Sequence, residues 1–153
     1  MAELFERLVG DEMIVQTQFT MSSIIINTTT QKSYGTIRPD VVLQQGDQRL
    51  AIDAKYKKYD ERKISAADIY QTFLYAYAFE HDPPTALIIY PANGSQLQQT
   101  DLAIRTIGGL QGANISAIGL PITQILDELE GVSNLKQRTY LRDVVAERIA
   151  TLA

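Results

Sequence analysis

One segment, residues 37–58 (IRPDVVLQQGDQRLAIDAKYKK), constrains the fold most, because apolar and polar residues alternate on both sides of a turn signal. Gly46-Asp47 suits a two-residue hairpin loop of type II′, since glycine adopts the positive φ of the first central position at little cost. The segment therefore predicts a β-hairpin whose strands cover residues 40–45 and 48–59.

The register of this hairpin follows from its loop. A two-residue loop pairs Gln45 with Gln48. Counting outward along both strands then places Asp40 opposite Asp53, and directly opposed residues have Cβ atoms about 4.5 to 5.5 Å apart. Side chains alternate along a strand, so Lys55 shares the face of Asp53. The other face takes the apolar set of Val41, Leu43, Leu50, Ile52, Ala54 and Tyr56.

The rest of the chain indicates a single mixed α/β domain. Its 153 residues match one ordinary domain, and no Pro-, Gly- or Ser-rich linker divides residues 1–153. Hydrophobic periodicity predicts helices at 3–9, 65–80 and 134–152. The helix at 65–80 has the best start signal, a capping box in its acidic variant at Ser65-Ala66-Ala67-Asp68. Further strands are predicted at 13–19, 22–27, 86–90, 101–107 and 115–120.

Composition excludes several kinds of site and partner. The chain has no cysteine and one histidine, so thiol nucleophiles and zinc clusters are excluded, and any metal must be held by oxygen, as Mg²⁺ prefers. No run reaches the ~20 apolar residues of a membrane span and no signal peptide is visible, which predicts a cytoplasmic protein. The net charge of −4 argues against a broad nucleic-acid surface. Five basic residues crowd one short strip that Asp60 and Glu61 dilute, and a solvated charged loop is the ordinary alternative for such a run: Lys55, Lys57, Lys58, Arg62 and Lys63.

The two opposed carboxylates carry the chemical argument. Asp40 and Asp53 repel each other, and burying both costs several kcal/mol unless a cation neutralises them. Mg²⁺ does so, and it also activates a bound water and stabilises charge on a phosphate. Lys55 is placed to orient or deprotonate that water or to contact the phosphate. An ordinary alternative remains, a solvent-exposed Asp-Lys pair beside a turn-forming aspartate.

Three motifs in order resemble a nuclease superfamily. Pro39-Asp40 and Asp53-Ala54-Lys55 resemble the PD-(D/E)xK signature, and 71–75 (QTFLY) fits the QxxxY motif of its RecB-like branch. More narrowly, four stretches resemble the nuclease subunit, of McrC type, of McrBC systems that cut DNA containing modified cytosine: 4–6, 38–40, 52–57 and 68–71. The resemblance implies a restriction-endonuclease-like core, with a central mixed β-sheet and flanking helices.

The resemblance also implies roles for individual residues. Asp40, Asp53 and the carbonyl of Ala54 would bind Mg²⁺ or Mn²⁺, and Lys55 would be the catalytic lysine. Glu6 would be an auxiliary acid from the first helix, and Gln71 and Tyr75 would steady the site or the DNA backbone. Independently of the resemblance, Lys57 is a candidate DNA contact because it shares the face of the site, and Arg38 is another because it could bind a phosphate. A surface role for Glu6 and an ion pair for Arg38 are the competing interpretations.

These roles predict a metal-dependent DNA endonuclease with a GTP-dependent McrB-type motor subunit as a partner. McrBC nuclease subunits engage that motor through an N-terminal region, whereas this sequence begins at the nuclease helix, so we expect an excised catalytic domain or a stand-alone relative. A domain with one active site cuts one strand at a time, so double-strand cleavage would need two copies of the domain or two successive binding events. A homodimer is therefore possible. The alternatives are a catalytically inert nuclease-fold module that binds DNA or a partner, and a nuclease for RNA or branched DNA.

Overall fold

The computed structural model describes residues 2–59, 62–79, 82–131 and 136–150. Its helices and strands, in chain order, are α1 (Ala2–Val9), β1 (Ile14–Thr17), β2 (Met21–Asn27), β3 (Lys32–Ile37), β4 (Val41–Gln45), β5 (Gln48–Ala54), α2 (Ala66–Ala78), β6 (Thr85–Ala92), β7 (Gln98–Arg105), β8 (Gln111–Pro121), α3 (Ile122–Leu129) and α4 (Lys136–Ala150). No helix of the described ranges is both long enough and apolar enough to cross a bilayer.

A six-stranded mixed sheet forms the centre of the fold, in the order β1-β4-β5-β6-β8-β7. The inner strands β5, β6 and β8 pair in parallel, whereas β1, β4 and β7 join in antiparallel fashion. Six consecutive residues of β6, 85–90, are buried, as expected for a parallel strand that is covered on both faces. The predicted α/β class, with a central mixed sheet and flanking helices, is therefore confirmed.

The predicted hairpin register is confirmed from Gln45–Gln48 at the loop to Val41–Ile52 at the last pair of the ladder. Gly46 has a φ of +60°, which the predicted turn requires at its first central position. The next step outward would pair Asp40 with Asp53. At that point the ladder gives way to a side-chain hydrogen bond, in which the backbone N–H of Ala54 donates to Oδ2 of Asp40 over 2.7 Å.

The second strand of the hairpin is shorter than predicted. It ends at Ala54 and not at residue 59, because Pro39 offers no N–H to a longer ladder and the Asp40 side chain occupies the N–H of Ala54. Tyr56 is consequently 97% exposed, and its predicted place on the apolar face is wrong. Only the backbone of Lys55 still follows the sheet, donating its N–H to the carbonyl of Ile89 over 2.7 Å.

The two faces of the sheet carry different cores. On one face, the predicted apolar side chains of β4 and β5 pack against α1, α3 and α4 in a cluster that includes Phe5, Leu43, Leu50, Ile52, Ile125 and Leu141. On the other face, α2 packs through Tyr75 and Ala76 on Ala51 and Ala86. Asp53 and Lys55 point toward α2, so the charged residues of β5 lie under this single helix.

Several boundaries and two elements differ from the sequence prediction. Strand β3 was not predicted because its KSYGTI sequence lacks apolar alternation; it pairs with β2 in a separate two-stranded sheet. Helix α3 was not predicted because its eight residues directly follow a buried strand and have no side-chain cap. Strands β7 and β8 begin at Gln98 and Gln111, earlier than predicted. Residues 80, 134, 135, 151 and 152 of the predicted helices lie outside the described residues.

Gly119 provides a test of the packing between β6 and β8. A Cβ atom at this position would lie 2.9 Å from Cε2 and Cζ of Tyr90 and from Cβ of Ala92. We expect Gly119→Ala to lower the free energy of unfolding by about 1 to 3 kcal/mol, because these neighbours are buried or half-buried. Urea unfolding measures the change. Gly108→Ala is the matched control, since its Cβ would lie 3.8 Å from the nearest atom, and it should stay within about 0.5 kcal/mol of wild type. Equal losses for both variants would contradict the packing argument.

Candidate active site

The centre of the candidate site is the carboxylate of Asp53 near the end of β5. This side chain is 3% exposed, because β5 lies between β4 and β6 and α2 covers its face. Asp40, at the entrance to β4, is exposed and bonds through its carboxylate to the N–H of Ala54. The hairpin register and this bond bring the two predicted acids to the same end of the sheet.

Lys55 reaches the same point from the end of β5. Its Nζ lies 2.6 Å from Oδ2 of Asp53 and 3.3 Å from Oδ1 of Asp68, and it donates a hydrogen bond of 2.7 Å to Oε1 of Gln71. The side chain is 15% exposed. Two carboxylates and an amide oxygen therefore hold one ammonium group at a fixed position.

Helix α2 holds this lysine through a chain of hydrogen bonds. Gln71 and Tyr75 are one turn apart, and Nε2 of Gln71 donates to Oη of Tyr75 over 2.7 Å. Oη of Tyr75 donates in turn to the backbone carbonyl of Arg38 over 3.1 Å. The chain runs from the Lys55 amine to the segment that carries Asp40, so α2 fixes the two halves of the site relative to each other.

Asp68 belongs to the site, although the sequence analysis gave it only a capping role. That role is present, since the N–H of Asp68 donates to Oγ of Ser65 over 3.2 Å at the start of α2. Its carboxylate also contacts Lys55, Lys57 at 3.1 Å and the hydroxyls of Tyr59 and Ser65. The spacing of three residues between Asp68 and Gln71 was the available signal, because it places both on one side of a helix.

Burial and charge act in opposite directions on the pKa values of these groups. Burial raises the pKa of Asp53 above its usual value, and this effect outweighs the nearby Lys55. Burial would also raise the pKa of Asp68, but hydrogen bonds from Ser65, Tyr59, Lys57 and Lys55 hold it well below its usual value. Burial would lower the pKa of Lys55, yet Asp53 and Asp68 together leave it raised. Lys55 is therefore a charged ammonium at neutral pH.

Two carboxylates at one end of the sheet make the site suitable for a cation. Oδ2 of Asp53 is buried and is paired with the Lys55 ammonium at 2.6 Å, while Asp40 is exposed. In the described residues, no group of three or more His, Asp or Glu side chains is arranged around a common point. The structure brings two carboxylates, those of Asp40 and Asp53, to this end of the sheet, a sparse oxygen set of the kind that Mg²⁺ accepts when waters complete its shell.

The structure does not bring Glu6 into this group. Glu6 is an exposed residue of α1, and α1 packs on the face of the sheet opposite to α2. Lys57 contacts the site, because its Nζ lies 3.1 Å from Oδ2 of Asp68, whereas Lys58 donates to Oδ1 of Asn93 over 2.8 Å. Arg38 is exposed, and its backbone carbonyl accepts the hydrogen bond from Oη of Tyr75. The roles of Glu6, Lys57 and Arg38 stay predictions.

Comparison with known proteins places the chain in a family. A model described as "McrBC 5-methylcytosine restriction system component" matches residues 1–91, which contain Asp40, Asp53, Lys55 and the whole of α2. The chain belongs to this family. No curated protein sequence matches it.

A solved structure shares the fold. It is titled a refined half-complex from a tetradecameric assembly of Thermococcus gammatolerans McrB AAA+ hexamers with bound McrC. The similarity has a TM-score of 0.64 at 14% sequence identity, and it covers 96% of this chain and 31% of the matched chain. The chain therefore corresponds to less than a third of that protein's length, over which the α/β architecture is the same.

Substituting Asp68 tests the electrostatic part of this description. We expect Asp68→Asn to lower the free energy of unfolding by about 1 to 3 kcal/mol at neutral pH, because Lys55 and Lys57 lose a charged acceptor. The lowered pKa of Asp68 means that this stabilisation is present above the ordinary value of 3.8 and is lost as the pH falls toward the folded-state value. Urea unfolding should therefore show a constant difference from about pH 7 to about pH 5 and a smaller one below that range. Glu147→Gln, an exposed acid on α4, is the control, and a difference that grew on acidification would contradict the assignment.

Proposed function

We propose that this domain is a Mg²⁺-dependent or Mn²⁺-dependent DNA endonuclease, the cleavage domain of a modified-cytosine restriction system. The observation that carries the proposal is the meeting of two carboxylates, Asp40 and Asp53, at one end of the sheet beside the fixed ammonium of Lys55. Membership in the McrBC component family supports the second part of the proposal, that the domain works in a modified-cytosine restriction system.

Asp40, Asp53 and the Ala54 carbonyl would hold the metal. When bound, such an ion acts as a Lewis acid toward a phosphate and lowers the pKa of a coordinated water. The protein fixes its own donors in advance: Asp53 by its place in the sheet, and Asp40 by its bond to the Ala54 N–H. Both neighbouring peptide N–H groups, of Ala54 and Lys55, are hydrogen-bonded, so the backbone that carries the Ala54 carbonyl is also held.

Lys55 supplies positive charge at the place where a phosphodiester would develop negative charge. Its ammonium form favours contact with the phosphate or orientation of a water over removal of a proton. Gln71 accepts from this ammonium and Tyr75 fixes Gln71, so both act as positioning residues in the proposal. Lys57 and Arg38 are proposed as contacts to the DNA backbone, which determine position and not sequence.

A GTP-dependent McrB-type motor is the proposed partner. The structure with the shared fold is an McrC bound to McrB AAA+ hexamers, and the present chain matches 31% of that chain. The net charge of −4 is consistent with weak, salt-sensitive binding of DNA by this domain alone, which a partner would compensate. We also propose that two copies of the domain associate when both strands are cut.

The competing function is an inert nuclease-fold module that binds DNA or a partner. Asp53 argues against it, because a buried carboxylate opposite a second acid costs stability, and a domain without catalysis gains nothing from that cost. The two predictions that follow separate these functions, one by cleavage and one by metal binding.

Lys55→Ala should reduce cleavage by about a hundredfold or more, because it removes a fixed positive charge from the site. The measurement is nicking of supercoiled plasmid with Mg²⁺ or Mn²⁺, alone and with an added motor subunit. Lys32→Ala, at an exposed position on the separate β2–β3 hairpin, is the control and should cleave like wild type. If wild type cleaves under some condition and Lys55→Ala cleaves equally well, the catalytic assignment is wrong.

Asp53→Asn should abolish the stabilisation that Mn²⁺ gives to the wild-type protein. A ligand that binds only the folded state stabilises it by an amount that grows with the logarithm of ligand concentration over Kd, and the amide removes the charge that attracts the cation. Thermal unfolding with EDTA and with Mn²⁺ measures this, and calorimetric titration measures binding directly. Asp101→Asn is the control, because Asp101 bonds to Ser116 and Arg148 on the opposite face of the sheet. Undiminished Mn²⁺ binding by Asp53→Asn would favour the inert module.

A further inference from the structure

A cavity of about 660 Å³ lies beside the candidate active site. It is bounded by the residues that precede α2, by the first turn of α2 and by strands β6 and β7. Its floor is apolar and aromatic, formed by Tyr59, Tyr90, Ile69 and Leu102, and its rim carries the cationic side chains of Arg62 and Lys63. This volume falls within the range of small-ligand sites, roughly 300 to 1,000 Å³.

The cavity and the candidate site share a wall. Tyr59 lines the cavity, and its hydroxyl bonds to the Asp68 carboxylate, which lies 3.3 Å from Nζ of Lys55. Tyr59 also meets Tyr90 edge to face, with ring centroids 5.4 Å apart, so the two aromatic side chains of the floor hold each other in place. A molecule bound in the cavity would therefore be separated from the lysine by two side chains, those of Tyr59 and Asp68.

The residues that line the cavity indicate which kind of molecule it can bind. A flat apolar group suits the floor, where Ile69 and Leu102 are half-buried and the more deeply buried rings of Tyr59 and Tyr90 meet edge to face, and an anion suits the cationic rim. A nucleotide combines the two. Asp60 and Glu61, which precede Arg62 in the sequence, lie outside the described residues.

We propose that this cavity takes one unstacked nucleotide of the DNA strand bound at the site, with its base on the apolar floor and its phosphate at Arg62 and Lys63. This inference rests on the proposed nuclease function. It assigns a substrate preference to that function, namely DNA that is single-stranded or locally opened beside the cut. Stacking against aromatic side chains tolerates any base, so the cavity would not read sequence.

The test fills the cavity from an exposed position. Thr100 lines the cavity from β7 and is exposed, so Thr100→Trp adds an indole to the cavity without replacing a core residue. The matched control is Ala103→Trp, an exposed residue on the opposite face of the same strand. The probe is a short single-stranded oligonucleotide with 2-aminopurine at successive positions, whose fluorescence changes when the base stacks. EDTA prevents cleavage during the titration.

We expect Thr100→Trp to weaken binding of the oligonucleotide by about tenfold and to abolish the position-dependent fluorescence change, while Ala103→Trp behaves like wild type. Arg62→Ala with Lys63→Ala should weaken binding to a similar extent, and this exposed pair serves if the tryptophan variant fails to fold. A free deoxynucleoside monophosphate is the second probe. Binding of the monophosphate as tight as that of the oligonucleotide would assign the cavity to free nucleotides and overturn the assignment to a DNA strand.

Plasmid nicking by the same proteins separates this inference from the proposed function. If wild type nicks DNA and Thr100→Trp binds the oligonucleotide as wild type does, the cavity assignment is wrong and the nuclease proposal stands. If wild type never nicks DNA while Thr100→Trp loses oligonucleotide binding, the nuclease proposal fails and the cavity still binds a nucleic-acid strand.

Discussion

The buried carboxylate of Asp53 is the constraint on which the site depends. It lies on an inner strand of the sheet under α2, where a negative charge is costly unless a cation is close. Within the described residues, the Lys55 ammonium is that cation, and it is held in turn by Asp68 and Gln71. Three carboxylates, those of Asp40, Asp53 and Asp68, share two ammonium groups, those of Lys55 and Lys57. The cluster therefore keeps an excess negative charge that a divalent ion would neutralise.

The position of Lys55 also depends on residues far from the chemistry. Gly119 leaves room for the ring of Tyr90, and Tyr90 packs edge to face on Tyr59. Tyr59 in turn bonds to Asp68, which contacts the lysine. A missing Cβ on the central sheet is thus connected, through two aromatic rings and one carboxylate, to the position of an ammonium group. The same two rings line the neighbouring cavity, so packing and the proposed binding of a DNA strand would use the same side chains.

The hairpin could be predicted from sequence because neighbouring residues, those of its loop and its two strands, determine its structure. A two-residue loop with Gly46 fixes the register, and the register fixes which end of the sheet carries Asp40 and Asp53. The role of Asp68 could not be predicted in this way, since a capping box fully accounts for an aspartate three residues after Ser65. Its contacts depend on how α2 packs across β5, which is a long-range property. The same limit applies to Glu6, because helical periodicity identifies the buried side of α1 but not the face of the sheet that it covers.

The basic strip shows how the charge of this domain is used. Lys55 and Lys57 bond to carboxylates of the site, and Lys58 bonds to Asn93, so three of its five cations already have partners within the chain. The other two, Arg62 and Lys63, stand at the rim of the cavity. Affinity for DNA grows with the number of phosphates that a protein neutralises, so the three cations of the strip that are already paired within the chain add little to it. The strip is arranged around one carboxylate cluster and one cavity, an arrangement that would favour positioning a strand for reaction over holding it. Retention on DNA would then fall to the proposed motor partner, which is consistent with a division between a subunit that holds DNA and a domain that cuts it.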